Sequence, residues 1–141
     1  VLKLGISQIS GGSKTSVGGY ALKSAQNSSQ FEIADNRTLD EIVCWLIRLG
    51  YVPSFCTSCY TKGRQGQDFM EICKKQQIHN FCTPNALLTL REYLNNYASE
   101  ETYAIGRLLL IDELNKRNPF GFACMRERID ILDKTGVVKF F

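Results

Sequence analysis

Long apolar runs, a strong charge of either sign and histidine are what this sequence has least of, and each shortage narrows its function. No apolar run approaches the roughly 18 to 20 residues that cross a bilayer, so no membrane partner is expected. Seventeen basic against fourteen acidic side chains leave a formal charge of +3. That excess is small and scattered, which gives no footprint for nucleic acid or an anionic surface. The opening Val1-Leu2-Lys3-Leu4-Gly5-Ile6-Ser7 has neither the hydrophobic stretch nor the cleavage pattern of a signal peptide, and the chain reads as intracellular. A phosphate-binding Gly-Lys-Ser/Thr loop is also missing: Lys14 follows Ser13, and the glycine that should precede it by four residues is absent. Histidine occurs once, at His79.

What remains has the size of one domain. The 141 residues are 44% apolar and 22% charged, in the range of a soluble globular protein. Six cysteines are many for an intracellular chain but too few for a disulfide-built miniprotein. Two of them, in Cys56-Thr57-Ser58-Cys59, have the two-residue gap that lets both sulfurs reach one ion or cluster. Cys82 completes a C-x2-C-x22-C pattern. Cys44, Cys73 and Cys124 lie on apolar helical faces and read as packing residues.

Along the chain, Leu2, Leu4, Ile6 and Ile9 predict a strand emptying into the glycine loop Gly11-Gly12-Ser13-Lys14. That arrangement resembles the carboxyl end of a parallel α/β strand, where ligands usually sit; a plain surface loop fits the spacing equally well. Thr38-Leu39-Asp40-Glu41 is a capping box, after which Leu39, Ile42, Val43, Leu46 and Leu49 form an apolar face and Gly50 stops the helix. Further helices are expected from near Gln65 with Phe69, Met70 and Cys73 inward, and from Pro84 with Thr83 as its N-cap and Leu87, Leu90, Leu94 and Tyr97 inward. Ser99 opens another, with Ala104, Leu108, Ile111 and Leu114 on one face, and a last one carries Phe122, Met125, Ile129 and Leu132. The fold class is thus an α/β piece, a strand, loop and helix over residues 1–50, followed by a mainly helical domain over residues 51–141. One strand cannot build a sheet, which suggests the end of a larger α/β architecture.

Three readings compete for the cysteines. Buried free thiols are the plainest. Structural zinc is a second, because Cys56, Cys59, His79 and Cys82 form C-x2-C-x19-H-x2-C, an allowable Cys3His set for a protein-interaction module. The third is an iron-sulfur cluster on three thiolates with one iron left open, as a reactive metal requires. Cys82 just ahead of a helix N-terminus would meet a partial positive charge that favours a thiolate or an anionic cluster.

The stretches I-S-Q-I-S-G-G-S-K-T-S-V-G-G-Y, Q-F-E-I-A-D-N-R-T-L-D-E, G-Y-V-P-S-F-C-T-S-C-Y-T-K-G-R-Q-G-Q-D-F-M and F-C-T-P-N-A-L-L-T-L-R-E-Y-L-N-N-Y-A resemble a known family closely. It is the radical S-adenosylmethionine tyrosine lyases that mature iron-only (FeFe) hydrogenase, in their C-terminal third. The resemblance loosens after about Asn115. The related lyase of thiamine synthesis fits the first part, but it ends near Gly50 and lacks the cysteine extension.

The resemblance implies that residues 1–50 are the last strand and helix of a radical-SAM (β/α) barrel, and that residues 51–141 bind an auxiliary 4Fe-4S cluster through Cys56, Cys59 and Cys82. There, dehydroglycine derived from L-tyrosine would yield carbon monoxide and cyanide for an additional iron, as an iron-carbonyl-cyanide unit. S-adenosylmethionine and a second 4Fe-4S cluster belong to the barrel of the whole protein. The implied partners are the rest of that barrel and other hydrogenase maturation factors, in a bacterial cytoplasm or the matrix of a hydrogenosome-like organelle. Ser13 and Lys14 fall where the family's G-S-R-T loop is expected to hold the amino-acid carboxylate, with lysine replacing arginine as a point charge in place of a bidentate fork. The family's C-Y-R is here Cys59-Tyr60-Thr61, one cation fewer. The six cysteines contain no C-x3-C-x2-C triplet, so this segment, read as a fragment or partial gene product, is not expected to cleave tyrosine alone.

Overall fold

The computed structural model describes residues 2–14, 19–20, 35–57, 66–75, 79–116 and 119–137, apart from the side chains of 79 and 119–123. Its helices are α1 (Leu39–Arg48), α2 (Gly66–Lys74), α3 (His79–Asn96), α4 (Glu100–Asn115) and α5 (Pro119–Thr135). The mainly helical domain is therefore present.

The expected strand is not formed: among the described residues there is none. Leu2–Leu4 instead make one 3-10 turn, closed by the Gly5 N–H donating to the Leu2 carbonyl at 3.1 Å, and residues 6–10 have no regular structure. The physical reason is pairing. A strand satisfies its N–H and C=O groups only beside another strand, and the described residues offer no second strand.

The chain divides into two compact units, residues 1–42 and 43–141. In the first, the capping box at the start of α1 closes as its sequence requires. The Thr38 N–H and hydroxyl both donate to Glu41 Oε2, at 2.6 and 2.8 Å, and the Glu41 N–H returns to Thr38 Oγ1 at 3.3 Å. The backbone bond from Thr38 comes first in holding the Glu41 carboxyl below its usual range.

The second unit is built around α3, against which α4 and α5 pack. Leu87, Leu88, Leu90, Tyr93 and Leu94 of α3 meet Val43 and Ile47 of α1, Leu110 of α4 and Met125 of α5 in one buried cluster. The C-terminal end of α1 is a Schellman turn: the Tyr51 N–H donates to Leu46 O at 3.0 Å and the Gly50 N–H to Ile47 O at 2.9 Å, with Gly50 at φ +79. The crossing of α3 and α4 depends on Gly106, where an added Cβ would lie 2.6 Å from a Leu94 methyl. Arg91 of α3 forks the Asp133 carboxylate of α5 with two bonds of 3.0 Å.

Several inward faces differ from expectation. Leu39 and Leu49 are exposed because one opens α1 and the other follows its last turn, while Ile47 takes a core place. Tyr97 is exposed, lying just beyond α3. Met70 of α2 is exposed, and Phe69 and Cys73 are only half-buried. On α4 the buried residues are Thr102, Gly106 and Leu110, whereas Leu108 and Ile111 face outward. The apolar run Leu108-Leu109-Leu110-Ile111 surrounds the helix, so the small residue at 106 decides which side can approach α3.

Candidate functional site

The approach to the first cysteine of the C-x2-C pair is fastened at several points. Pro53 is buried and fixes its own φ. Two residues on, the Phe55 N–H donates to Thr89 Oγ1 at 3.1 Å. The Phe55 ring stacks on Tyr93 with centroids 5.0 Å apart and planes inclined by 14°. The Cys56 N–H donates to Ser54 Oγ at 3.3 Å, a local turn that ties its backbone to the residue two before it. Val52 packs against the core cluster. Cys56 is thus delivered half-buried at the end of a strap lying along α3.

Cys82 belongs to the same helix. It was expected just ahead of a helix beginning at Pro84, but α3 begins at His79, so Cys82 sits inside the first turn and is exposed. Thr83 is correspondingly not an N-cap. The helix tolerates Pro84 because the bond that proline forfeits is the one to the carbonyl of Asn80, at an exposed end where water can replace it. The N-terminal partial charge of α3 still falls within its first turn.

Cys59, the second thiol of the pair, lies outside the described residues, as does the side chain of His79. Among the described residues no three potential metal ligands converge. Cys56, Cys82, Cys44, Cys73 and Cys124 form no disulfide. Cys44 and Cys73 are half-buried, in keeping with packing, while Cys124 is exposed. Cys56 and Cys82, the two described members of the expected donor set, are unoxidised, and the place of Cys82 in the first turn of a helix is chemistry that suits an anionic iron-sulfur cluster.

The glycine loop is seated differently. Gly12 has φ +65, and an added Cβ there would stand 3.1 Å from the backbone nitrogen of Leu39, the first residue of α1. Gly11 lies against the Leu39 and Ile42 side chains. Ser13 is half-buried and Lys14 exposed, the Lys14 N–H donating to Tyr20 Oη at 2.9 Å. Sequence reasoning passed over Thr89 and Tyr93. The signal available was spacing: Thr89 follows Cys82 by seven residues, two turns, and is the one hydroxyl inside Leu87-Leu88-Thr89-Leu90.

No family model matches this chain, and no curated protein matches it. A solved structure does: the crystal structure of HydG, a maturase of the FeFe-hydrogenase, is 40% identical and superposes with a TM-score of 0.90 over 99% of this chain. The chain spans 30% of the HydG chain's length. Over that shared segment, the chain is similar to the C-terminal part of HydG in both sequence and fold.

Proposed function

We propose that this chain is the auxiliary-cluster part of a tyrosine-cleaving hydrogenase maturase. The observation that carries the reading is the similarity to HydG over nearly the whole chain at 40% identity. Cys56, Cys59 and Cys82 would hold a 4Fe-4S cluster, residues 1–50 the end of the barrel, and residues 51–141 the cluster domain. When bound, a cluster held by these three thiolates would supply an open iron position, chemistry suited to turning dehydroglycine into carbon monoxide and cyanide for an additional iron. The chain's own residues supply the grip. The strap from Pro53 to Cys56 sets the first sulfur, and the opening turn of α3 sets the third. Ser13 and Lys14 would hold the amino-acid carboxylate, the lysine as a single charge. S-adenosylmethionine and its own cluster need a C-x3-C-x2-C triplet absent from this sequence, so tyrosine cleavage is assigned to the rest of a HydG-length protein.

Anaerobic reconstitution is expected to give brown protein with about four irons and four sulfides per chain, and Cys82→Ser to lose them. The second reading is structural zinc, favoured by His79 and Cys82 standing three residues apart in the first turn of α3. It predicts colourless protein with one zinc, weakened by His79→Ala; cluster content that survives His79→Ala excludes it.

A further inference from the structure

We propose that Thr89 is a positioning residue for Cys56, an inference that rests on reading Cys56 as a cluster ligand. Thr89 is 2% exposed, and its hydroxyl carries one proton. That proton is shared between the carbonyls of Asn85 at 3.0 Å and Ala86 at 3.1 Å, one turn back along α3. The oxygen is then oriented, with a lone pair left for the Phe55 N–H at 3.1 Å. The acceptor cannot swing away, because the helix that fixes its donor bonds also fixes its Cα.

Neighbouring Cα atoms are about 3.8 Å apart, so the backbone of Cys56 is one bond vector from this anchor. The Ser54 hydroxyl and the Tyr93 ring remove most of the remaining freedom. Cys82 is carried by the same rigid element, seven residues earlier and therefore about 10 Å along the axis. Helix α3 thus acts as a ruler: it bears the third cysteine directly and the first through the Thr89 hydroxyl. Hydroxyl groups buried in an apolar helix face are costly unless bonded, and this one is bonded on both sides. Among the described residues, its acceptor side serves the strap.

The test compares Thr89→Val, which keeps the shape and removes the hydroxyl, with Thr89→Ser, which keeps the hydroxyl. Thr89→Ala is a second hydroxyl-free variant that cannot clash. In metal-free protein, iodoacetamide labelling is followed cysteine by cysteine by mass spectrometry. Cys56 is expected to label about threefold to tenfold faster in the Val and Ala variants, the change that losing one ordinary hydrogen bond permits. The Ser variant should match wild type, and Cys44 should label at the wild-type rate throughout. After anaerobic reconstitution, the reduced-cluster electron paramagnetic resonance signal of the hydroxyl-free variants should be broadened, and iron should be lost faster to a chelator. A wild-type Cys56 rate in a variant with an intact helical circular dichroism spectrum overturns the proposal. So does an equal acceleration at Cys44, which would mean general loosening. Failure of the wild type itself to take up iron would sink the cluster reading, while the labelling comparison would still decide the role of Thr89.

Discussion

The strap leading to Cys56 and the loop carrying Ser13 and Lys14 are both proposed to meet small ligands, yet they are seated by opposite means. The strap is held by groups that are present: a buried hydroxyl, a stacked ring and a buried proline. The loop is held by atoms that are missing, since the close approach of Gly12 to the Leu39 nitrogen requires that no side chain stand between them. A site of the first kind fails when an atom is removed, and one of the second kind when an atom is added. The distinction separates variants that lose function with the fold intact from variants that displace backbone.

The largest expected effect is on the strap. Tyr93 is 7% exposed and serves both the core and the Phe55 stack. Tyr93→Ala should cost about 3 kcal/mol or more in urea denaturation, since a large buried aromatic leaves a cavity. Tyr93→Phe preserves the ring and should retain wild-type Cys56 labelling. If the alanine variant denatures with a wild-type midpoint, the stack is not what seats the strap.

A smaller effect is expected at the loop. Gly12→Ala places a Cβ on a residue at φ +65, roughly 1 to 2 kcal/mol of backbone strain, with the 3.1 Å contact to the Leu39 nitrogen in addition. Backbone amide exchange of Leu39 to Glu41 should accelerate. Gly11→Ala sharpens the point: its Cβ would meet side chains alone, the tip of exposed Leu39 at 3.1 Å, which can turn aside, and Ile42 at ordinary contact distance from 3.4 Å, so exchange should change less. Equal acceleration in the two would remove the argument from the left-handed conformation.

The same contrast separates what is legible in the sequence from what is not. Thr38 and Glu41, Ser99 as the cap of α4, and Gly50 as a stop were legible because each is a local device whose partners lie within five residues. The inward face of α4 was not, because apolar residues surround that helix and the choice was made by Gly106 against Leu94, a contact across twelve residues of chain. The strand expected over Leu2 to Ile9 is not formed here for a related reason. Alternation predicts a strand only where another strand completes it. The C-x2-C-x22-C spacing marked the three cysteines, but the docking of Phe55 on Thr89 spans 34 residues and left no local signature.

The smallest expected effect concerns charge, and it distinguishes a pair that joins two helices from one that closes on itself. The Arg91 hydrogen bonds come first in depressing the Asp133 carboxyl below its ordinary 3.8, opposed by desolvation and helped by Asn95. A depressed folded pKa contributes stability above the ordinary value, and that contribution is lost as pH falls through the folded one. Asp133→Asn should therefore cost less than about 1 kcal/mol at neutral pH, because the carboxylate is 35% exposed and screened. The gap between wild type and variant should narrow as the pH drops below 3.8. Asp35, held down at about 2 chiefly by the side chain of Arg37, is the control. Its pair is exposed and spans only two residues, so it orders a short turn and ties no helices together. Asp35→Asn should leave the urea midpoint of residues 43–141 unchanged. A gap for Asp133→Asn that widens toward acid would mean the carboxyl is destabilised by its surroundings, reversing the role assigned to Arg91.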